Sequence, residues 1–183
     1  MEALGMLELS SIGVAYAVRD AMIKAAEVQV LVARTICSGK YMIMVGGPVQ
    51  AVRFSLEAGK ACSDGALIDE LLIPAVDKRI FPAIAGSVEL EQSDRQALGL
   101  LEAFSVTAIV EGADAAVKAA NVELFRIHVA MAIGGKGYLL LTGEISQVQA
   151  GIAAGAAEIA KRGLLVSKVV IPNPEPELFT DVL

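Results

Sequence analysis

Internal repetition constrains this chain more than any other feature. Ala3-Leu4-Gly5-Met6-Leu7-Glu8 is answered by Ala97-Leu98-Gly99-Leu100-Leu101-Glu102, an offset of 94 residues. The match runs on without a gap through Asp20-Ala21-Met22-Ile23-Lys24-Ala25-Ala26 against Asp114-Ala115-Ala116-Val117-Lys118-Ala119-Ala120, then Val28 against Val122. The offset grows to 96 at Gly39-Lys40 with Gly135-Lys136 and Gly47 with Gly143, and to 98 at Gly65 with Gly163 and Ile73-Pro74 with Ile171-Pro172. Offsets that grow only at turn-like places mark a duplication. The fold must therefore be one that roughly 90 residues can adopt, twice. The polar stretch 87–95 reads as a linker, giving a first domain over residues 1–90 and a second over 95–183. Charge divides the same way: 8 basic and 11 acidic residues up to Gln92, 7 and 10 from Ser93 onward, so each half carries −3.

Within the first half, Leu4 to Leu9 is a short apolar run and reads as a strand. Val14, Ala17, Val18, Ala21, Met22 and Ala25 follow the 3.6-residue period of a helix. Val28 to Ile36 and Tyr41 to Val45 are β-rich runs joined by Cys37-Ser38-Gly39-Lys40, which is hairpin chemistry. Gly47-Pro48 opens a second helix, with the proline expected in its first turn, running to about Ser63. Leu67 to Ile73 is a last strand ended by Pro74. Strand, helix, strand, strand, helix, strand is the split βαβ pattern of ferredoxin-like folds. The expected fold class is α/β in the α+β sense: two tandem ferredoxin-like domains, each an antiparallel sheet with helices on one face.

Composition removes several function classes. The 55% hydrophobic content and mean hydropathy of +0.62 exclude a disordered chain. Yet no uncharged run reaches the roughly 18 residues of a membrane span. With no basic n-region before an apolar stretch, no signal peptide is expected, and the chain reads as cytoplasmic. A net charge of −6 with no Lys/Arg block argues against nucleic acid and against a membrane surface. The two cysteines, Cys37 and Cys62, are expected to stay reduced.

Gly5-x-Leu7-Glu8, Asp20-Ala21-Met22-x-Lys24-Ala25-Ala26, the Ser38-Gly39 hairpin and the Gly47 helix start resemble the shell-protein domain of bacterial microcompartments. Ala113 to Val122 and Val170-Ile171-Pro172 repeat the resemblance in the second half. It implies a structural protein of the microcompartment shell, in which tandem domains form a homotrimer that imitates a hexagonal tile and joins other shell proteins edge to edge. The glycine-bearing strand opens each half, so the order resembles the unpermuted type. Lys24 and Lys118 match the family's tile-edge lysine; a solvated helix lysine is the plainer reading. The chain departs from the family after the last strand. Pro74-Ala75-Val76-Asp77 and Pro172-Asn173-Pro174-Glu175 stand where many members have a basic, histidine-containing segment.

The same resemblance assigns the pore. The hairpin between the second and third strands lines it, here Thr35, Ile36, Cys37, Ser38, Gly39 and Lys40, and in the second half Ala132, Ile133, Gly134, Gly135, Lys136 and Gly137. Three copies of Cys37 around a trimer axis match a subgroup of tandem shell proteins, found in propanediol-utilising compartments, that hold a [4Fe-4S] cluster, one per trimer. Such a cluster would pass electrons across the shell. Thiolates are the soft ligands that iron–sulfur chemistry requires. The alternative is a pore thiol without metal in a tile that passes metabolites. A duplicated ferredoxin-like small-molecule sensor is a reading from another class. No acid, base and nucleophile set can be assembled, so an enzyme is not expected. Cys62, spaced from Leu56 along a helix, reads as a small buried hydrophobe. His128 lies in an apolar strand with no triad partner, and Gly134-Gly135-Lys136-Gly137 lacks the pattern of a phosphate loop.

Overall fold

The structure, a computed structural model, describes residues 2–129 and 133–180. It divides into two compact units, one up to Val76 and one from Asp77. Each is described by itself.

Unit 1 runs β1 (Ala3–Leu9), α1 (Ile12–Ala25), β2 (Gln29–Ile36), β3 (Lys40–Gly47), α2 (Val49–Ala61) and β4 (Leu67–Ile73). Its sheet has the order β2-β3-β1-β4 with every pair antiparallel, the topology expected of a split βαβ fold. Ser11 caps α1 by accepting the Val14 N–H at 3.3 Å. Alternation along β1 points Ala3, Leu7 and Leu9 at Val18, Met22, Val52 and Leu56 of the two helices, forming the core. The opposite set, Leu4, Met6 and Glu8, is also buried, so β1 is covered on both faces.

Unit 2 contains α3 (Ile80–Ala85), β5 (Ala97–Ala103), α4 (Val106–Ala119), β6 (Glu123–Val129), β7 (Gly137–Gly143), α5 (Ile145–Lys161) and β8 (Leu165–Ile171). The sheet order β6-β7-β5-β8 repeats that of unit 1. Even the irregularities are repeated. The register slips between Glu8 and Leu9 and again between Glu102 and Ala103, and between Val30 and Val32 as between Leu124 and Arg126. Bulges are structural features that homologous strands keep, so this agreement supports the duplication independently of residue identity.

Three local readings change. Pro48 is the residue that caps α2 (φ −60°, ψ 144°), one position before the helix, and α2 ends at Ala61 rather than near Ser63. The first hairpin closes, within the stretch read as its turn, through a tight 3-10 turn over Cys37–Gly39. The polar stretch read as linker is packed: Val88 and Leu90 lie against Leu98, Phe125, Leu140 and Phe179 in unit 2. There, a 3-10 turn over Gln92–Asp94 is closed reciprocally by the Glu91 and Asp94 side chains.

Candidate functional site: the two hairpins and the helix ends

The β2–β3 hairpin places the first group of site residues. Ile36 is buried, Cys37 half-buried, Ser38 and Gly39 exposed. Ser38 has φ +65° and Gly39 φ +72°, so two successive left-handed residues turn the chain within three positions. A Cβ on Gly39 would meet nothing within 4 Å, so glycine serves the backbone angle there rather than a close contact. Both cysteines are reduced thiols. Cys62 caps the end of α2, half-buried against the core, with its thiol 3.5 Å from the Gly59 carbonyl.

In unit 2 the corresponding loop is longer. Lys136 N–H bonds to Ile133 O at 3.3 Å around Gly134 and Gly135, both at positive φ. Ala132, the first residue of the predicted pore loop, lies outside the described residues. His128 stacks on Tyr138, ring centroids 5.0 Å apart and 13° from parallel. It stands opposite Tyr138 in the β6–β7 ladder.

Each hairpin is braced by an ion pair that sequence reasoning did not single out. Lys40 Nζ donates to Glu8 Oε1 at 2.8 Å, and Lys136 Nζ to Glu102 Oε1 at 2.5 Å. Glu102 also accepts from Ser167 Oγ at 3.1 Å. The Lys136 hydrogen bond, opposed by burial and aided by Ser167, holds the Glu102 carboxyl below its ordinary range. The signal was present: both glutamates and both lysines are matched pairs of the repeat.

Lys24 and Lys118 stand in the last turns of α1 and α4. Lys24 pairs with Asp20 at 2.6 Å, both exposed, whereas Lys118 pairs with Asp114 at 2.5 Å and Asp114 is largely buried. Asp114 also accepts the Asp77 N–H at 2.8 Å. Next to it, Arg79 donates to the Val117 and Val122 carbonyls at 2.8 and 3.0 Å and pairs with Asp77, closing the end of α4. The Arg79 hydrogen bond pulls the Asp77 pKa down to about 2 against the opposing cost of burial. This clamp has no counterpart in the repeat pattern, because Glu177 occupies the position matched to Arg79.

Among the described residues no three His, Cys, Asp or Glu side chains of one chain converge as a metal site. Cys37 fits a cluster only as one ligand among several chains: a thiolate of the right chemistry, half-exposed at a hairpin tip with small neighbours. No helix among the described residues is long and apolar enough to cross a membrane.

Two similar four-stranded α+β units with matched bulges define a tandem repeat of one shell-forming domain. The BMC domain matches residues 3–76 and again 97–174, and the chain belongs to that family: it is a structural protein of the bacterial microcompartment shell, not an enzyme. It is 39% identical to the bacterial microcompartment shell protein PduT of Citrobacter freundii, over all of this chain and 98% of that one. It is 30% identical to the carboxysome assembly protein CcmO of Synechocystis, over 93% of this chain and 61% of that one. The crystal structure of a microcompartment protein from Desulfitobacterium hafniense superposes with a TM-score of 0.92 at 38% identity, covering 98% of this chain and 99% of that one.

Proposed function

We propose that the chain forms a homotrimeric tile whose six domains imitate a hexamer, with Lys24 and Lys118 at its edges toward neighbouring shell proteins. Residues 36–39 and 133–136 line the central pore. Three Cys37 thiolates, one from each copy, hold a [4Fe-4S] cluster there, leaving one iron for a ligand from outside the protein. When bound, such a cluster supplies one-electron chemistry.

The observation that carries the reading is the place of Cys37. It is half-exposed on a turn of two successive left-handed residues, Ser38 and Gly39, whose small side chains leave their backbone N–H groups open to a ligand at the hairpin tip. Such groups bond cluster sulfides and tune their potential. The Lys40–Glu8 pair fixes the base of the same hairpin.

Anaerobic reconstitution with iron and sulfide tests it. The expected product is brown protein with about four irons per three chains, and Cys37→Ser is expected to remain trimeric while losing the iron. Iron retained by Cys37→Ser at the level of the unaltered chain would eliminate Cys37 as ligand. A trimer that takes up no iron would leave the metal-free metabolite pore.

A further inference from the structure

Asp-Gly occurs once in the sequence, at Asp64-Gly65, and it falls in the turn between α2 and β4. The Ala66 N–H donates to the Ser63 carbonyl at 2.8 Å, and the two residues between them stand at φ +46° and +73°. Two successive positive φ angles under an i to i+3 hydrogen bond are those of a type I′ turn, for which Asp-Gly is a favoured pair. Both ends of this turn are tied down. Ser63 Oγ donates to the Lys60 carbonyl at 2.8 Å, and the Ala66 carbonyl accepts the Ser10 N–H and Oγ at 2.8 and 3.2 Å. The central pair is exposed, and a Cβ on Gly65 would meet nothing within 4 Å.

Every other described aspartate has its carboxylate engaged. Asp20, Asp77 and Asp114 pair with Lys24, Arg79 and Lys118, while Asp94 accepts the Glu91 N–H and Asp69 that of Glu70. Among the described residues nothing donates to the Asp64 carboxylate and nothing accepts the Gly65 N–H. The second half supplies the contrast. Arg162 stands at the position matched to Asp64, right-handed at φ −93° and bonded to Thr107 at 3.1 Å, and the Gly163 N–H is held by the Ala160 carbonyl at 3.0 Å.

We propose that Asp64 is a site of spontaneous covalent modification, converting through a succinimide to isoaspartate, the substrate of carboxyl methyltransferases that use S-adenosylmethionine. Electrophile and nucleophile are neighbours in one chain, so the reaction needs no encounter, and glycine places no side chain against the attacking nitrogen. The Gly65 nitrogen attacks Asp64 Cγ in its neutral carboxyl form. The N–H proton and the carboxyl OH leave together as one water, closing a five-membered ring. Water then opens the ring at either carbonyl; opening at the α-carbonyl leaves the chain running through the β-carboxyl, with no net change in mass. The product has one more backbone atom between Ser63 and Ala66. That lengthening breaks the turn's hydrogen bond and loosens the Ser10 tie at the end of β1, in unit 1 alone.

Prolonged incubation of the full chain at neutral pH and physiological temperature tests it, read by peptide mapping with electron-transfer fragmentation and by methyl uptake from an isoaspartyl methyltransferase. Isoaspartate at position 64 is expected to exceed that at Asp20 or Asp69 by at least about 10-fold. Asp64→Asn suits the same turn and is expected to convert faster, releasing ammonia, whereas Asp64→Ser is expected to lose the methyl uptake. A chain with no more isoaspartate at position 64 than at Asp20 would overturn the site. So would an Asp64→Asn variant as durable at that position as Asn121, or an Asp64→Ser variant that takes up as much methyl as the unaltered chain.

Discussion

Lys40 Nζ lies 2.8 Å from Glu8 Oε1, tying the first residue of β3 to the one acid of β1 at the base of the cysteine-bearing hairpin. The Glu8 side chain is only 4% exposed and stands opposite Asp69 on β4. Its counterpart Glu102 is 26% exposed and faces Ser167, which donates to it.

The two matched pairs should therefore respond differently to loss of the lysine. Lys40→Met leaves a buried carboxylate beside a second acid and is expected to cost about 3 kcal/mol of stability. Lys136→Met leaves a better-solvated carboxylate with its serine donor and should cost about 1 kcal/mol. Urea denaturation of both variants checks the order, and equal losses would contradict it.

The clamp at the end of α4 carries a pH signature. Asp77 has its pKa lowered from 3.8 to about 2, chiefly by its hydrogen bond from Arg79. A depressed carboxyl pKa contributes stability above the unfolded value, lost as pH falls through the folded one. Allowing for partial exposure, about 1 kcal/mol should disappear between pH 4 and pH 2. Arg79→Ala weakens that dependence, leaving only the backbone N–H of residue 79 and Lys118 to hold the carboxyl down, and, with the Val117 and Val122 carbonyls at the end of α4 left without their donor, should destabilise unit 2 by about 2 kcal/mol at neutral pH. Hydrogen exchange of α4 amides across that pH range would show it; a variant with the same acid profile as the unaltered chain would not fit.

Helix packing depends on glycines that admit close neighbours. A Cβ on Gly155 would stand 2.6 Å from the Gly112 carbonyl oxygen, a backbone atom that cannot rotate aside. On Gly59 it would meet Met22 Cγ at 2.7 Å and Leu7 Cδ1 at 2.8 Å, both on side chains with freedom to shift. Gly155→Ala should thus lose about 3 kcal/mol and Gly59→Ala about 1 kcal/mol, measured by thermal unfolding. The reverse order would place the tight contact elsewhere.

Much of this was legible in the chain itself, and the reasons differ by element. Helix identities followed from the 3.6-residue period and strand identities from short apolar or β-branched runs bounded by turn residues, and the duplication supplied each assignment twice. The Cys37-Ser38-Gly39 turn could be recognised from Gly and Ser between β-branched runs. The helix Ile80–Ala85 could not, because Pro82 sits inside it and six residues carry too little periodicity. Packing of Val88 and Leu90 onto the second sheet was hidden by the polar residues around them. The Arg79 clamp escaped because it joins residues about 40 apart in the chain without a matching pair in the other half. By contrast, the Glu8–Lys40 and Glu102–Lys136 braces were open to inference from the repeat alone, once a buried strand glutamate is required to have a cation.

The assembly state tests the account most directly. Sedimentation equilibrium of the unaltered chain should give three times 19.0 kDa, about 57 kDa, across a wide concentration range. A species of 19.0 kDa that persists at high concentration would contradict the trimeric tile and, with it, the shared cysteine site.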